Sequence, residues 1–479
     1  MTQFAWVVYG RLFTEQISIM TLSASLEKSG IQPALIYSDS KSSILKEIRS
    51  SRPSVIGYSL MYGSHWRYRD ISKAIKQDFP DIFQVIGGPL TTFYPEAIND
   101  FSADAVCIGE GDTSLVNLAK SLSAKGSAEG VRGFNVKVGD QVIPQGLERL
   151  VDDLDSLPFP DRKLLYAKDD FLREQEFKSF LSGRGCPYPC TYCFNHKFNE
   201  IYKGLGKIVR KKSVEYFIDE VARTKREFGC QFAIFEDDIF VLDRKWLGEF
   251  ARKFPAKVGI PYICYVRADL VDGELLALLK ESGCHIVRMA IETGNEQIRN
   301  TILKRSMSNQ VIVDAAELIH RYGLKLSVSN MFGLPCETVD TVNETVQLNI
   351  ACRPDNPTAQ FFMPYPKMEL TETAIEKGYF RRELFSHIPK NTWKFTPLLF
   401  DKKTRRFINR TQKIFALIVR YPSLQRYSRF FLMLPDSFLY IISIMVRTII
   451  TKNYLPHTKV RFLQRLRAAE RLLRFYVFG

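Results

Sequence analysis

The chain has 479 residues, enough for about two to four domains with sizeable cores. Its hydrophobic content of 46% and charged content of 25% are ordinary for a globular protein, and nine cysteines in a chain this long do not indicate a disulfide framework. The net charge of +15 is concentrated in the carboxyl-terminal part of the chain. Residues 386–479 contain 19 Lys and Arg against 3 Asp and Glu, whereas the remainder is nearly neutral.

Residues 1–148 alternate short apolar runs with helical stretches, and no basic segment precedes an apolar core at the start, which predicts no signal peptide. Five βα units of this length predict a doubly wound parallel sheet, in which ligands bind at the carboxyl ends of the strands. The predicted strands are Ala5–Tyr9, Ala34–Tyr37, Ser54–Ser59, Phe83–Ile86 and Ala105–Ile108, with helices that include Gln16–Lys28, Ile71–Gln77 and Ser114–Ser121.

Small residues follow three of these strands, where they let the backbone approach a large flat or phosphate-bearing ligand. No G-x-G-x-x-G follows the first strand, which disfavours a dinucleotide site. His65 is the nearest imidazole, and we predict that it is a surface or capping residue at a helix start. The small-residue loops are Ser59-Leu60, Gly87-Gly88 and the turn Gly109-Glu110-Gly111.

Residues 149–175 are predicted to be a linker because of their acidic and proline-marked turn. From residue 176 the alternation resumes, and six βα units predict a partial (β/α)6 barrel, whose functional groups come from the strand carboxyl ends. The predicted strands are Phe177–Leu181, Gln231–Phe235, Tyr262–Val266, Ile286–Ile291, Leu326–Phe332 and Ala359–Met363, and helices begin near Ser213, Arg244, Gly273, Asn309 and Glu337.

Three cysteines, Cys186, Cys190 and Cys193, lie within eight residues just after the first barrel strand. They offer three ligands to an inorganic centre, whereas a structural zinc site normally has four. An iron–sulfur cluster on three thiolates keeps one iron open for a ligand that is not protein. Zinc is the alternative, with His196 as the fourth ligand. The other six cysteines are predicted to be buried structural thiols in a reduced compartment.

Four consecutive barrel strands end in polar or glycine residues, and such groups at one edge of a sheet predict a ligand site. Near this site, Cys336 is predicted to be a turn residue without a catalytic role. His285 is predicted to be a core residue, and Arg210 a solvated charge. The strand ends are Glu236-Asp237-Asp238, Arg267-Ala268-Asp269, Glu292-Thr293-Gly294 and residues 330–335.

The C-x3-C-x2-C loop, with an aromatic residue before its last cysteine and at the start of a β/α repeat, resembles the radical S-adenosylmethionine (SAM) superfamily. The resemblance implies a [4Fe–4S] cluster on the three cysteines, whose open iron is chelated by SAM and which cleaves SAM to methionine and a 5′-deoxyadenosyl radical. Glu292 and the carboxylates after strand two would meet the SAM ribose or amino group. The implied SAM contacts are Tyr192, Asp237, Arg267, Glu292, Gly333 and Leu334.

Residues 1–148 resemble the cobalamin (B12)-binding domain that precedes the barrel in one class of these enzymes. The D-x-H-x-x-G loop, whose His ligates cobalt in mutases, is absent, so the resemblance implies a free lower face or another cobalt ligand. A degenerate domain that no longer binds cobalamin is the alternative. The implied cobalamin contacts are Ser59, Leu60, Gly87, Gly88, Glu110 and Gly111.

Residues 386–479 interleave apolar and basic residues without strand signals. The apolar run at 430–450 is interrupted by Pro435, Asp436 and Arg447, and its uninterrupted part is too short to cross a bilayer of ~30 Å. Residues 461–474 show helical spacing of apolar residues. Basic amphipathic helices predict contact with an anionic membrane surface. The alternatives are a helical cap on the barrel and a phosphate-binding face for RNA, although no RNA-binding module is recognisable.

These features predict four regions: a cobalamin-binding domain (1–148), a linker (149–175), a radical SAM partial barrel (176–385) and a basic helical region (386–479). The resemblance implies a cobalamin-dependent methyltransferase that methylates an unactivated carbon. The cysteine usage predicts the cytoplasm, and the basic helical region predicts contact with the inner membrane face. One alternative is a radical SAM enzyme that cyclises, rearranges or oxidises without methyl transfer. The other is a zinc-stabilised membrane-surface binding protein.

The predicted partners are a small-molecule substrate of hydrophobic or lipid-like character and an electron donor such as flavodoxin or ferredoxin. In the implied reaction, the deoxyadenosyl radical removes hydrogen from the substrate, and the carbon radical takes a methyl group from methylcobalamin. A second SAM then remethylates the cobalamin. A nucleic-acid partner is not predicted.

Overall fold

The computed structural model describes residues 3–63, 65–387, 394–431, 433–454 and 471, which form an α/β protein. The chain divides into two compact units: a first unit of residues 1–175, 197–212 and 460–479, and a second unit of residues 176–196 and 213–459. Up to residue 175 the elements are β1 (Phe4–Tyr9), α1 (Ile17–Lys28), β2 (Ala34–Ser38), α2 (Lys41–Ser51), β3 (Val55–Ser59), α3 (His65–Asp78), β4 (Phe83–Gly87), α4 (Pro89–Phe93), β5 (Ala105–Cys107), α5 (Ser114–Lys125), β6 (Phe134–Val138), β7 (Gln141–Pro144), α6 (Arg162–Tyr166) and α7 (Asp170–Glu174).

The remaining elements follow the same alternation until residue 376 and are helical after it. They are β8 (Phe177–Phe180), β9 (Gly183–Arg184), α8 (Phe194–Ile201), β10 (Arg210–Lys211), α9 (Val214–Phe228), β11 (Phe232–Phe235), α10 (Arg244–Lys257), β12 (Tyr262–Val266), α11 (Gly273–Glu281), β13 (Cys284–Glu292), α12 (Asn309–Arg321), β14 (Lys325–Phe332), α13 (Val339–Cys352), β15 (Asn356–Phe361), α14 (Glu369–Glu376), α15 (Lys402–Arg420), α16 (Ser428–Phe431) and α17 (Asp436–Tyr454).

The first unit contains a seven-stranded sheet in the order β2-β1-β3-β4-β5-β6-β7. The five strands β1 to β5 are parallel, as predicted, and β1 is buried along nearly its whole length because its residues are apolar on both faces. The strand order reverses beside β1, which is where parallel sheets of this kind bind ligands. The antiparallel strands β6 and β7 extend the sheet and were not predicted.

Residues 149–175, predicted as a linker, belong to the first unit and contain two short helices. Asp161 and Asp169 cap α6 and α7, since each carboxylate accepts a backbone N–H three residues further on. The buried guanidinium of Arg162 pairs with the carboxylate of Glu15. This segment is therefore folded onto the first unit through specific polar contacts.

The second unit contains six parallel strands in the order β15-β14-β13-β12-β11-β8, which is the predicted partial (β/α)6 barrel. Phe235 lies opposite Phe180, and Glu292 lies opposite Asn330, so the carboxyl ends of the strands meet at one edge. The outer face of the sheet packs against the helices through a large apolar cluster that includes Phe235 and Tyr262. This arrangement brings the predicted ligand-binding residues of four strands to one end.

The basic helical region begins with α15, which Asp401 caps by accepting the N–H groups of Lys403 and Thr404. The apolar face of α15, including Ile408 and Phe415, packs against β14, β15 and α13. For α15 the helical-cap prediction therefore holds, and its apolar face is not available to a membrane. Apart from Arg471, the helix predicted at 461–474 lies outside the described residues.

Among the helices that the structure describes, none combines the length and the apolar character needed to pass through a bilayer.

Candidate functional site

The three cysteines of the predicted cluster site lie on one loop of the second unit, between β9 and α8. Cys186 and Cys190 are buried and Cys193 is half-buried. The N–H group of Cys193 donates to the Cys190 carbonyl oxygen at 3.0 Å, which closes the turn. The hydroxyl of Thr191 donates to the carbonyl oxygen of Ile302 at 2.7 Å and anchors the loop to the barrel. The backbone thus holds all three sulfurs in one short, fixed segment.

Two side chains place N–H groups beside these sulfurs. Nη1 of Arg267 lies 3.9 Å from Sγ of Cys190, and Nδ2 of Asn195 lies 3.7 Å from Sγ of Cys193. Such donors favour a thiolate over a thiol. Burial, together with Asp238, raises the pKa of Cys193 to about 12, so the site also calls for a bound cation to compensate the buried sulfur charge. This donor set fits an iron–sulfur cluster.

The zinc alternative requires His196 as a fourth ligand. Nε2 of His196 instead lies 3.5 Å from Oε2 of Glu369, whose other oxygen, Oε1, lies 2.5 Å from Nζ of Lys304. Across the residues that the structure describes, no three His, Cys, Asp or Glu side chains form a group that could hold a metal ion. The thiolates of a cubane each bind a different iron, so they need not crowd as closely as the ligands of one zinc ion.

Two of the predicted SAM residues meet at the strand edge. The hydroxyl of Tyr192 donates to Oε1 of Glu292 at 2.9 Å, and both contact Arg305, whose Nη1 donates to the Tyr192 hydroxyl at 2.6 Å. The same Nη1 lies 3.7 Å from Oε1 of Glu292, and Nη2 donates to the Ala290 carbonyl oxygen at 2.8 Å. Burial raises the pKa of Glu292, while Arg305 and Tyr192 oppose this shift.

The sequence did not single out Arg305, because it lies outside any strand and in no recognisable motif. Its two neighbours, Lys304 and Ser306, have positive φ angles of 52° and 49°, so the turn there is tight. Only the tertiary structure shows that this turn delivers a buried guanidinium to Tyr192 and Glu292. Glu292 also has a positive φ, 69°, at the end of β13, which aims its carboxylate at Arg305.

Arg305→Met is expected to lower the free energy of unfolding by about 3–5 kcal/mol, because it leaves the buried Glu292 carboxylate without its cation. The double variant Glu292→Gln/Arg305→Met removes both charges and should lose clearly less. Denaturant unfolding of the single and double variants at neutral pH measures this. If the double variant is at least as unstable as Arg305→Met, the charge pairing is not what Arg305 provides.

Two other predicted SAM residues are held by protein contacts. Arg267 donates through Nε and Nη2 to the Asp269 carboxylate, each at 3.0 Å, and its guanidinium lies 3.6 Å from the ring centroid of Tyr188. The carboxylate of Asp237 accepts the N–H group of Ser182 at 3.0 Å and also the Ser182 hydroxyl. Asp237 therefore ties the end of β11 to the end of β8.

The predicted apolar wall at Gly333-Leu334 is a turn organised by a buried carboxylate. Oε2 of Glu337 accepts the N–H groups of Gly333 at 2.5 Å and Leu334 at 3.3 Å. Leu334 is fully buried in an apolar cluster against which Tyr192 packs. A Cβ at Gly333 would lie 2.3 Å from Oγ1 of Thr396, so only glycine fits. The side chain of Leu334 is thus packed within protein, and both N–H groups of the turn bond to Glu337.

Burial raises the pKa of Glu337 to about 8, against 4.5 ordinarily. Between these values the folded state binds more protons than the unfolded state, so stability should fall as pH rises from about 4.5 to 8, by on the order of a few kcal/mol. Glu337→Gln keeps the acceptor and should flatten this dependence. Denaturant unfolding across this pH range measures it, with the exposed Glu376→Gln as control. A Glu337→Gln profile as steep as the wild-type profile contradicts the assignment.

In the first unit, the predicted cobalamin loops form a close backbone cradle after β3 and β4. The Leu60 N–H group donates to the Gly87 carbonyl oxygen at 2.7 Å, and the Leu60 carbonyl oxygen accepts the N–H of Leu90 at 3.2 Å. A Cβ at Gly88, where φ is 99°, would lie 2.8 Å from the Leu60 oxygen and 2.9 Å from its nitrogen. The hydroxyl of Ser59 lies 3.3 Å from that of Ser18. Backbone packed this tightly leaves no room for a side chain at Gly88.

Glu110 and Arg210 form a buried ion pair within the first unit. Nη1 and Nη2 of Arg210 donate to the two carboxylate oxygens of Glu110 at 2.8 and 2.6 Å, and Nη1 also donates to the Val151 carbonyl oxygen at 3.0 Å. The prediction that Arg210 is a solvated charge was therefore wrong. Its bidentate pairing with Glu110 holds the turn beside Gly111, where a Cβ would meet Leu22 at 3.2 Å.

Three further sequence predictions concern single residues. His65 begins α3, stacks on Tyr62 with ring centroids 5.2 Å apart, and accepts the Gly63 N–H group through Nδ1 at 3.2 Å. His285 lies near the start of β13, edge-on to Phe232. Cys336 lies in a turn with a φ of 67°. The turn at Cys336 is as predicted, and its lack of a catalytic role stays a prediction. His285, predicted to be a core residue, is only half-buried, and His65 is half-buried at the start of its helix.

Two protein-family models match this chain, one in each of its two main domains. The Radical SAM superfamily matches residues 180–348, which include the cysteine loop and the four central barrel strands β11 to β14. The B12 binding domain matches residues 9–119, which include the cradle at Leu60 and Gly88.

Two similar proteins differ in the activity for which they are named. The uncharacterized methyltransferase PH0819 of Pyrococcus horikoshii is 28% identical over 351 residues, 72% of this chain and 74% of that protein. The anaerobic magnesium-protoporphyrin IX monomethyl ester cyclase of Cereibacter sphaeroides is 24% identical over 379 residues, 76% of this chain and 58% of the cyclase.

Among solved structures, the radical SAM methyltransferase TsrM from Kitasatospora setae, with cobalamin and a [4Fe–4S] cluster bound, has a similar fold. The TM-score is 0.65 at 18% sequence identity, over 80% of this chain and 76% of TsrM. At this identity the similarity establishes the fold alone.

Proposed function

The chain belongs to the radical SAM superfamily and carries a B12 binding domain, and from this premise we propose that it is a cobalamin-dependent methyltransferase acting on an unactivated carbon. The observation that carries the proposal is the three-cysteine loop at the carboxyl edge of the barrel, with buried N–H donors directed at two of its sulfurs. Its cofactors are a [4Fe–4S] cluster, SAM and cobalamin.

Together these groups supply one-electron cleavage of SAM and a methyl group carried on cobalt. Cys186, Cys190 and Cys193 would hold the cluster, and Arg267 would offset its negative charge beside Cys190. Cys186 and Cys190 are buried and Cys193 is half-buried, which would limit the access of water to two of the three sulfurs.

Glu292 and Tyr192 would bind SAM at the same edge of the barrel. Their hydrogen bond leaves one carboxylate oxygen of Glu292 for the ribose or amino group, and Arg305 keeps that carboxylate oriented. Asp237 and Arg267, whose polar groups bond to Ser182 and Asp269, would contact SAM in addition to fixing the strand ends. Gly333 and Leu334 would contact the adenine through the backbone that Glu337 organises.

Ser59, Leu60, Gly87 and Gly88 would carry the cobalamin ring system in the first unit, because a side chain at Gly88 would overlap the Leu60 backbone. Glu110 would act through the shape of its turn, since Arg210 holds both of its carboxylate oxygens, and Gly111 would contact the ligand through its backbone. Partners would be a small-molecule substrate and an electron donor such as flavodoxin or ferredoxin.

Methyl transfer is supported by the relative PH0819, which is named a methyltransferase. The second candidate is a cyclase or another radical reaction without methyl transfer, which the protoporphyrin ester cyclase favours. The two differ in what happens to the methyl group of SAM: a methyltransferase moves it first to cobalt and then to the substrate carbon, whereas a cyclase does neither.

The test is anaerobic reconstitution with iron, sulfide and cobalamin, followed by incubation with a strong reductant and SAM labelled in its methyl group. A methyltransferase should cleave some SAM to 5′-deoxyadenosine and methionine, which keeps its labelled methyl group. From other SAM molecules it should transfer the label to cobalamin and release S-adenosylhomocysteine, without any substrate present. Recovery of 5′-deoxyadenosine with unlabelled cobalamin would favour the non-methylating candidate. If neither iron nor cobalt is retained, the proposed function is wrong.

A further inference from the structure

A cationic cavity lies in the second unit between the start of α15 and the start of α17. It has a volume of about 370 Å³. Its single acid, Asp436, already accepts Nε of Arg410 at 3.2 Å and lies 3.8 Å from Nζ of Lys413. The cavity is therefore strongly positive. Its lining residues are Phe400, Lys402, Arg405, Arg406, Asn409, Arg410 and Asp436.

Three of these cations are available to a ligand. Lys402, Arg405 and Arg406 are exposed on the first turns of α15, and within the described ranges none of them has an acidic partner. Between residues 402 and 449 the sequence contains ten Lys and Arg and a single acid, Asp436. The nearby carboxylates are Asp436, which pairs with Arg410, and Asp401, which caps α15, so the cations outnumber them and an anion entering the cavity would meet a net positive field.

An exposed apolar stripe adjoins this cavity along α17. Asp436 begins α17 at the cavity, and the stripe starts two residues later. The opposite face of α17 is already covered, because Leu439 and Ile450 are buried. The stripe is therefore an exposed apolar face of α17, separate from the face that packs against the protein, and such a face marks a contact site. It consists of Phe438, Ile441, Met445 and Ile449 at spacings of three and four residues, preceded by Phe430 and Met433, and all six are between 51% and 75% exposed.

We propose that the α15–α17 segment docks on the surface of an anionic phospholipid bilayer, with a lipid phosphate group in the cationic cavity and the α17 stripe in the acyl boundary. The two features suit this occupant together, because a bilayer surface presents a phosphate layer directly above hydrocarbon. RNA would satisfy the cations but would leave Ile441 and Met445 in water. The proposal does not depend on the reaction.

The test is flotation of the reconstituted full-length protein with vesicles of phosphatidylcholine alone or of phosphatidylcholine and phosphatidylglycerol in equal parts. We expect binding to the anionic vesicles that weakens with salt, and little binding to the neutral ones. Arg405→Glu/Arg406→Glu and, separately, Ile441→Gln/Met445→Gln should each reduce the bound fraction at least about tenfold. SAM cleavage should persist in both variants.

Matched controls separate this site from general charge and general hydrophobicity. Lys120→Glu/Lys125→Glu makes the same charge change on exposed positions of α5, and Val138→Gln/Ile143→Gln removes two exposed apolar side chains from β6 and β7. Both should bind vesicles as the wild type does. If a charge-reversed variant melts early, Arg405→Gln/Arg406→Gln replaces it.

Three results would overturn the proposal. One is equal binding to neutral and anionic vesicles, and another is full binding by the Ile441→Gln/Met445→Gln variant. The third is retention of single-stranded RNA, lost on charge reversal, by a protein that does not bind anionic vesicles; the cavity would then be a nucleic-acid site.

Discussion

Cys193→Ala protein, reconstituted anaerobically with iron and sulfide, is expected to retain little of the wild-type iron and to lack the broad visible absorbance of a [4Fe–4S] centre. Reductive SAM cleavage should fall to the level of the protein-free control. The reason is geometric: Cys186, Cys190 and Cys193 are the only ligands the loop offers, and two thiolates cannot hold a cubane that already has one open iron.

The matched control is Cys336→Ala. Cys336 is also a half-buried cysteine in a turn, but it lies outside the cysteine loop, so the control variant should keep its iron, its colour and its SAM cleavage. Thermal unfolding of both apoproteins should be similar, because neither substitution creates a large cavity. If the Cys193→Ala protein has unchanged metal content and colour, the cluster assignment is wrong.

Gly88→Ala is expected to lower both the stability of the first unit and the amount of cobalt that the protein binds. The new Cβ would lie within 2.9 Å of two backbone atoms of Leu60, and the φ of 99° strains any residue other than glycine. Steric overlap and backbone strain together should lower the stability of this unit by about 2–4 kcal/mol. Because the cradle must open to relieve the overlap, the cobalt bound per protein should fall sharply while the iron content stays unchanged.

Gly30→Ala separates the two causes. Gly30 has a similar φ of 87°, but a Cβ there would meet nothing within 4 Å. It should therefore cost only the backbone term, about 1–2 kcal/mol, and leave cobalt binding intact. Cobalt and iron are quantified on the same anaerobic preparation. Equal cobalt in the Gly88→Ala and wild-type proteins would show that cobalamin does not bind at this cradle.

Much of the architecture follows from local sequence. The eleven predicted strands all exist within a few residues of their predicted limits, since short apolar runs bounded by turn residues are buried wherever they fold. The predicted helix starts at Arg244, Gly273 and Asn309 are those of α10, α11 and α12, each of which follows a capping Asp or Ser in the structure. The spacing of Cys186, Cys190 and Cys193 likewise indicated their shared loop, because the ends of an eight-residue segment cannot lie far apart.

The antiparallel strands β6 and β7 were missed because their exposed, mixed-polarity residues carry no clear periodic signal. The sequence also could not assign partners to charges. Arg210 was predicted to be a solvated residue because it lies in a basic run. In the structure it is buried and forms an ion pair with Glu110, a hundred residues away in the chain. Ion pairing depends on distance in space, which linear spacing does not report.

What the sequence alone determined is the fold class, the strand limits and the cysteine loop, because each depends on residues close together in the chain. What only the tertiary structure decided is which side chains share a site: Arg305 with Glu292, Arg210 with Glu110, and the α17 stripe with the cationic cavity. These depend on long-range packing, where burial makes an unpaired charge costly and so selects one partner among many.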